Sequence, residues 1–141
     1  MQAAKDIARQ ASLDQSMPTG SVVVRNGQIL GRGANGSNYH KEHACVRVQQ
    51  NIPTGQGYDL CEGCHPKNHS ELRAVADALV RSDRLSLEGC TLYLWGHWWC
   101  CEPCWNTMLA NGIQTVYLLE GSEKLFNKMH PENVVGKQFI A

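Results

Sequence analysis

No sign of charge dominates this sequence: across 141 residues, thirteen Lys and Arg balance thirteen Asp and Glu. A strong, unspecific hold on duplex DNA or on an anionic membrane needs a basic surface, so the balance argues against both. One or two local cations would still suffice for a small phosphate-bearing ligand. Long apolar runs are missing too, and none approaches membrane-spanning length. The opening residues, Met1 to Asp6, lack the apolar core of a signal peptide, which makes the cytoplasm the expected compartment. An even set of cysteines is also absent. The seven stand at 45, 61, 64, 90, 100, 101 and 104, and an odd count without an export signal argues against a disulfide framework. Neither repeats nor a second-domain break is evident, so residues 1–141 read as one domain. With six histidines near those thiols, metal is the better explanation of the grouping.

The periodicities give an alternating order. Residues 2–14 have a helical pattern with Ala3, Ile7, Ala8 and Ala11 on one face, ended by Met17-Pro18-Thr19-Gly20. Ser21–Arg25 and Gln28–Gly31 read as strands around Asn26-Gly27, a strong hairpin signal because both turn positions need positive φ. The valine run marks the first strand as buried on both faces. Residues 32–68 have no sustained period, and an irregular stretch of that length in a small domain is usually functional or held by a ligand. A helix is expected over 69–82, with Leu72, Val75, Ala76, Leu79 and Val80 as its apolar stripe. Leu92–Trp95 is a strand, and 101–111 a helix with Met108 and Leu109 inward, stopped by Gly112. Gln114–Leu119 is a last strand, followed by a short helical patch around Leu125-Phe126. Right-handed crossovers place such helices on the faces of one sheet, so the expected fold is an α/β three-layer α/β/α sandwich with a central mixed sheet.

Two fragments carry chemistry. Asn68-His69-Ser70-Glu71 opens one helix, and Cys101-Glu102-Pro103-Cys104 opens the next. Cysteines three apart on a first helical turn point the same way, and helix N-termini favour the thiolate form. Zinc prefers thiolate and imidazole in a tetrahedron, and three protein ligands leave a fourth position for water, whose pKa falls toward about 7. His69, Cys101 and Cys104 are therefore the expected ligands of a catalytic Zn2+. Glu71 is free to move protons, as deamination of an aromatic amine requires. His-x-Glu alone arises often by chance, and Cys-x-x-Cys alone is more often structural; their combination on two helix starts is what points to a catalytic centre.

This constellation resembles the zinc-dependent cytidine and deoxycytidylate deaminase superfamily. The likeness extends to Gly20–Val24 before the Asn-Gly turn, Gly33–Gly36 after it, and Gly112-Ile113 leading to Val116-Tyr117, covering roughly residues 3–119. The resemblance is nearest to the deoxycytidylate deaminases and implies a sugar-binding role for Asn35, a base contact from the backbone at Ser70, and a homo-oligomer. Three departures stand out. Ser70 replaces the common Ala, Cys100 replaces the proline before the first cysteine, and Trp95–Cys100 is about two residues longer than the usual turn. The last of these remodels the pocket rim, where His97 and Trp98, with Trp99, are substrate-binding candidates; His97 could equally cap a turn. Trp95 and Trp105 fit core positions as well as stacking ones.

Deoxycytidylate deaminases often carry a second zinc before His-x-Glu. Here a second structural Zn2+ is expected in an insertion at about 37–68, held by Cys45, Cys61 and Cys64, with His65 taken as the fourth ligand and His40 and His43 left open. Cys90 and Cys100 are not expected to bind metal. The expected function is zinc-dependent hydrolytic deamination of a cytosine-type nucleotide or nucleoside, dCMP first among them. Alternatives are a base in single-stranded nucleic acid, disfavoured by the neutral charge, a guanine-like or pterin-like ring, or a nucleoside antibiotic. A non-catalytic module built on two Cys-x-x-Cys pairs is the reading outside enzymes, but zinc ribbons space such pairs by about 15–20 residues, whereas residues 65–100 separate them here.

Overall fold

A computed structural model describes residues 1–139. The elements are α1 (Gln2–Ala11), β1 (Gly20–Arg25), β2 (Gln28–Ala34), the short helices α2 (Tyr39–Glu42) and α3 (Val46–Gln49), α4 (Ser70–Ser82), β3 (Thr91–Trp95), α5 (Glu102–Ala110), β4 (Val116–Leu118) and α6 (Ser122–Leu125). Single 3-10 turns at Tyr58–Leu60 and Pro66–Asn68 lead into α4.

The sheet order is β2-β1-β3-β4, with β1 antiparallel to both neighbours and β3 parallel to β4. Asn26 and Gly27 both take positive φ, +50° and +76°, so Arg25 pairs with Gln28 across a two-residue turn. The pleat sends alternate residues of each strand to opposite faces. Val23, Leu92 and Leu94 join α4 and α5 in one apolar core, while Val22 and Trp95 join Ala4 and Ala8 of α1 and Phe126 in another. Helices thus cover both faces of a mixed sheet, the three-layer α/β/α arrangement expected. At the β2 edge, the Arg32 N–H is not left open: it donates to Asp77 of α4 at 2.9 Å.

The helix faces differ from the periodicity reading in two places. The buried side of α4 is Ser70, Glu71, Ala74, Val75 and Ala78, while Ala76 is exposed and Val80 is 82% exposed. The cause lies in β2. A Cβ on Gly31 would stand 2.4 Å from the Ala78 nitrogen, and one on Gly33 would stand 2.4 Å from the Ala74 nitrogen and the Ser70 oxygen. Helix and strand touch backbone to backbone, so small side chains face the sheet and the larger branched ones are turned aside. In α5, Met108 is fully buried but Leu109 is 53% exposed: consecutive helical positions are separated by about 100°, and here that turn carries Leu109 off the buried face. The expected helices α1, α4 and α5 and the strand β4 appear with shorter ends, β1 and β3 each start one residue earlier, β2 runs on to Ala34, and the irregular stretch 32–68 holds the two short helices α2 and α3.

Gly33→Ala is expected to lower stability by about 1–3 kcal/mol or more, read as a fall of several degrees in melting temperature, and to loosen the start of α4. Val80→Lys, on the solvent side of the same helix, should stay within about 0.5 kcal/mol. Thermal unfolding of both variants measures the contrast.

Candidate metal and catalytic site

His69 and Cys101 are the N-cap residues of α4 and α5, both with extended backbone that turns their side chains toward each other. His69 Nδ1 lies 3.4 Å from Cys101 Sγ and 3.4 Å from Cys104 Sγ, and the two sulfurs are 3.2 Å apart. Tetrahedral zinc with bonds of about 2.0–2.3 Å separates neighbouring donors by about 3.3–3.8 Å, so both nitrogen–sulfur edges already match that polyhedron, and the two sulfurs would part by about half an ångström to complete the face. The Cys101 thiol is held down at about 4 by the hydrogen bond with Cys104, and further by His69, which outweigh burial. The same contact with Cys101, and then burial, pushes the Cys104 thiol well above its ordinary range, so one sulfur of the pair ionises readily and its neighbour keeps the proton. One imidazole and two thiols are donors that zinc selects.

Glu71 sits two residues into the same helix, 6% exposed, and lines the same cavity as His69 and Cys101. Burial raises its carboxyl above the usual range, against the lowering influence of His69. The Ser70 hydroxyl donates to Glu71 Oε2 at 3.3 Å and lies 2.7 Å from the Ser21 hydroxyl of β1. Ser70 is fully buried, so its side chain braces the carboxylate instead of meeting a ligand directly. Cys100 is buried with its thiol near Glu71; burial first, and then that carboxyl, keeps it protonated well above the ordinary range.

The cavity has a volume of about 660 Å³, within the range of small-molecule sites. Asn35 is on its wall, with Oδ1 accepting from the Thr19 N–H at 2.8 Å and the Ser12 hydroxyl at 2.5 Å, and Nδ2 donating to the Met17 carbonyl at 2.9 Å. One Nδ2 hydrogen remains for a ligand. His97 is also on the wall and caps its own turn as well: Nδ1 accepts from the N–H groups of Trp98 and Trp99 at 3.0 and 3.3 Å. Burial, reinforced by His69, lowers its imidazole to about 4, so the ring is neutral and presents Nε2–H. Trp98 does not line the cavity. It packs against the α1-side core with Trp95, and Trp99 takes the rim position, pressed against Gly55. Consecutive residues of this turn face opposite ways, Trp98 toward the α1-side core and Trp99 toward the core under α4 and α5.

A second donor cluster joins His40, Cys45, Cys61 and Cys64. His40 Nε2 is 3.2 Å from Cys61 Sγ and 3.9 Å from Cys64 Sγ, and Cys45 Sγ is 3.6 Å from Cys64 Sγ. The histidine here is His40, not His65. His65 caps the 3-10 turn, its Nδ1 accepting from the Lys67 N–H at 3.1 Å, and His43 stacks on Tyr39. His40 reaches the sulfurs across Gly63, where a Cβ would meet the imidazole at 2.6 Å. All seven cysteines are free thiols. Asn68, which the motif included without a role, and Arg73, which it did not include, lock the approach to α4: Arg73 donates to Ala34 O and Asn68 Oδ1, and Asn68 receives the Gly36 N–H on its carbonyl.

The sequence model described as the cytidine and deoxycytidylate deaminase zinc-binding region matches residues 1–120. The chain belongs to this zinc-binding deaminase family. Among solved structures it is similar to dCMP deaminase from the cyanophage S-TIM5 in complex with dCMP and dUMP, at 21% identity over 91% of this chain and 87% of that one, TM-score 0.55. A tRNA:A34 deaminase, named for A-to-I editing at the wobble position of transfer RNA, is 20% identical over 84% of this chain and 72% of that one, TM-score 0.54. Guanine deaminase from Bacillus subtilis is 19% identical over 83% of this chain, TM-score 0.52, and the match spans only 59% of that protein's length. No curated protein matches the chain in sequence. At these identities the likeness is one of fold. Among the described residues, no helix is long and apolar enough to cross a membrane.

His97→Asn tests the buried neutral imidazole. A folded-state pKa of about 4 against an unfolded value of about 6.5 means that the unfolded chain takes up a proton first on acidification. This histidine therefore costs stability progressively as pH falls from about 6.5 to about 4, at up to about 1.4 kcal/mol per unit. Denaturant midpoints of wild type should decline across that window more steeply than those of the variant, and parallel curves would contradict the assignment.

Proposed function

We propose that the protein is a zinc-dependent hydrolytic deaminase of a cytosine-type nucleotide or nucleoside, with dCMP as the leading substrate. The observation that carries this reading is the triangle of His69 Nδ1, Cys101 Sγ and Cys104 Sγ closing on one point beside the buried carboxyl of Glu71. Zinc held by those three side chains supplies Lewis acidity that makes water nucleophilic near neutral pH. Glu71 takes one proton from the attacking water and passes it to the ring nitrogen, then carries the second, from the new hydroxyl, to the departing amine, so that one water enters and one ammonia leaves. Its raised proton affinity suits it to this shuttling, and Ser70 holds it in place. Asn35 and neutral His97 offer N–H donors to the sugar or the base, and Trp99 offers a ring face. Lys41 and Lys128 on the cavity wall supply cations for a phosphate. The balanced overall charge supports a small nucleotide over a strand of nucleic acid.

The second cluster holds a structural zinc in this reading, with His40, Cys45, Cys61 and Cys64 as its ligands, and staples the insertion at about 37–68 within one domain, 1–141. The same reading places the protein in the cytoplasm as a homo-oligomer, for which the exposed Leu109, Tyr117 and Leu118 around β4 offer an apolar surface.

Glu71→Gln is expected to retain zinc and fold while kcat for ammonia release falls by at least about 10²–10⁴-fold. A panel of cytosine, cytidine, deoxycytidine, dCMP, dCTP, guanine and adenosine, scored for ammonia, tests the substrate. Preference for guanine or for an oligonucleotide would replace the cytosine assignment, and full activity in the variant would remove Glu71 from the reaction.

A further inference from the structure

The side chains of the Cys61–Cys64 turn belong to the second donor cluster, but its backbone faces the first. Three successive carbonyls of that turn are aimed at the start of α4. Those of Glu62 and Gly63 accept from Asn68 Nδ2 at 2.8 and 3.4 Å, and that of Cys64 lies 3.1 Å from His69 Nε2. His69 Nδ1 is the nitrogen facing the two sulfurs of the first site, so a metal bound there takes its lone pair and leaves the ring proton on Nε2. A carbonyl oxygen can only accept, so Nε2–H donates to Cys64. That hydrogen bond fixes both the tautomer and the ring plane of the ligand. Tyr58, in the turn just before Cys61, closes the other side of the imidazole edge-to-face at 4.9 Å.

We infer that the second donor cluster, through the Cys64 carbonyl, is a positioning device for the catalytic metal ligand His69, so that metal in one site sets the affinity of the other. The inference rests on the zinc reading above. What keeps the turn in place is the cluster itself. Residues 40, 45, 61 and 64 come from a stretch whose only regular structure is two four-residue helices and a single 3-10 turn. Closing such loops costs chain entropy that ion binding offsets. With the second ion lost, the Cys64 carbonyl becomes mobile and His69 is released to the other tautomer and to rotation. Neither His69 nor any ligand of the first site needs to change for this to occur. Cys64 is a positioning residue acting through its main chain.

The test uses the full chain loaded with cobalt(II) or zinc. Thiolate-to-cobalt charge-transfer absorbance distinguishes a three-sulfur site from a two-sulfur site, and competition with a chelator gives the affinity of each. Cys45→Ser weakens the second site without touching His69, Cys101, Cys104 or the Cys64 backbone. It is expected to lower metal affinity at the first site by about 10–100-fold. His40→Cys keeps four donors and should leave first-site affinity within about threefold of wild type. If Cys45→Ser does not fold, His40→Gln takes its place, with the same two outcomes. In histidine-labelled wild-type holoprotein, two-bond 1H–15N spectra should find the His69 proton on Nε2. First-site affinity unchanged in the weakened variant, or the proton on Nδ1, overturns the coupling. A wild-type chain that holds metal only at His69, Cys101 and Cys104 also overturns it while leaving the deaminase reading intact, whereas a chain that binds no metal overturns both.

Discussion

The backbone contact between α4 and β2 governs the rest of the molecule. Gly31 and Gly33 let the helix settle directly on the strand, opposite Ala74 and Ala78, and that approach fixes how far the first turn of α4 stands from the sheet. Ser70 then meets Ser21 across the interface, Glu71 is drawn into the buried layer, and His69 is left at the helix tip facing α5. A larger side chain on either glycine would displace a rigid element bearing both His69 and Glu71. Precision at the site is thus set by main chain meeting main chain, where there are no rotamers to relax.

Electrostatics explains why the site can tolerate so many ionisable groups in so small a volume. Glu71, His69 and two thiols would be costly to bury as independent charges. Here they polarise one another: the Cys104 contact and the neighbouring His69 favour an anionic Cys101 sulfur, while burial holds Glu71 toward its neutral form. A divalent cation held among them would complete the neutralisation, in keeping with the family's zinc-binding character. Cys100, though adjacent in sequence, turns into the core beside Glu71 and stays a protonated thiol.

Much of this was legible in the residues, because the strongest signals are local. Asn26-Gly27 demands a two-residue turn, Cys101-x-x-Cys104 demands a helical first turn, and Gly112, at φ +92°, ends α5 where a left-handed residue was expected. What could not be read depends on contacts between distant segments. The face of α4 was misassigned because Val80 and Ala76 look apolar, and only the glycines of β2 determine which side of the helix can approach. The histidine of the second cluster was misassigned because His65 is near in sequence, whereas His40 is near in space, over Gly63. Trp98 and Trp99 differ only in the phase of an irregular turn, and hydrophobicity carries no information about that phase.

The bond from the Arg32 N–H to Asp77 has a bearing on how copies of the chain meet. One border of the sheet has a main-chain donor occupied by a carboxylate, and the opposite border, β4, is only three residues long. With no net charge to provide repulsion at neutrality, blunted borders of this kind are what discourage runaway strand-to-strand growth. Any contact between copies would then rest on side chains, those of β4 among them, and not on main-chain pairing, and such contacts can close into a finite assembly.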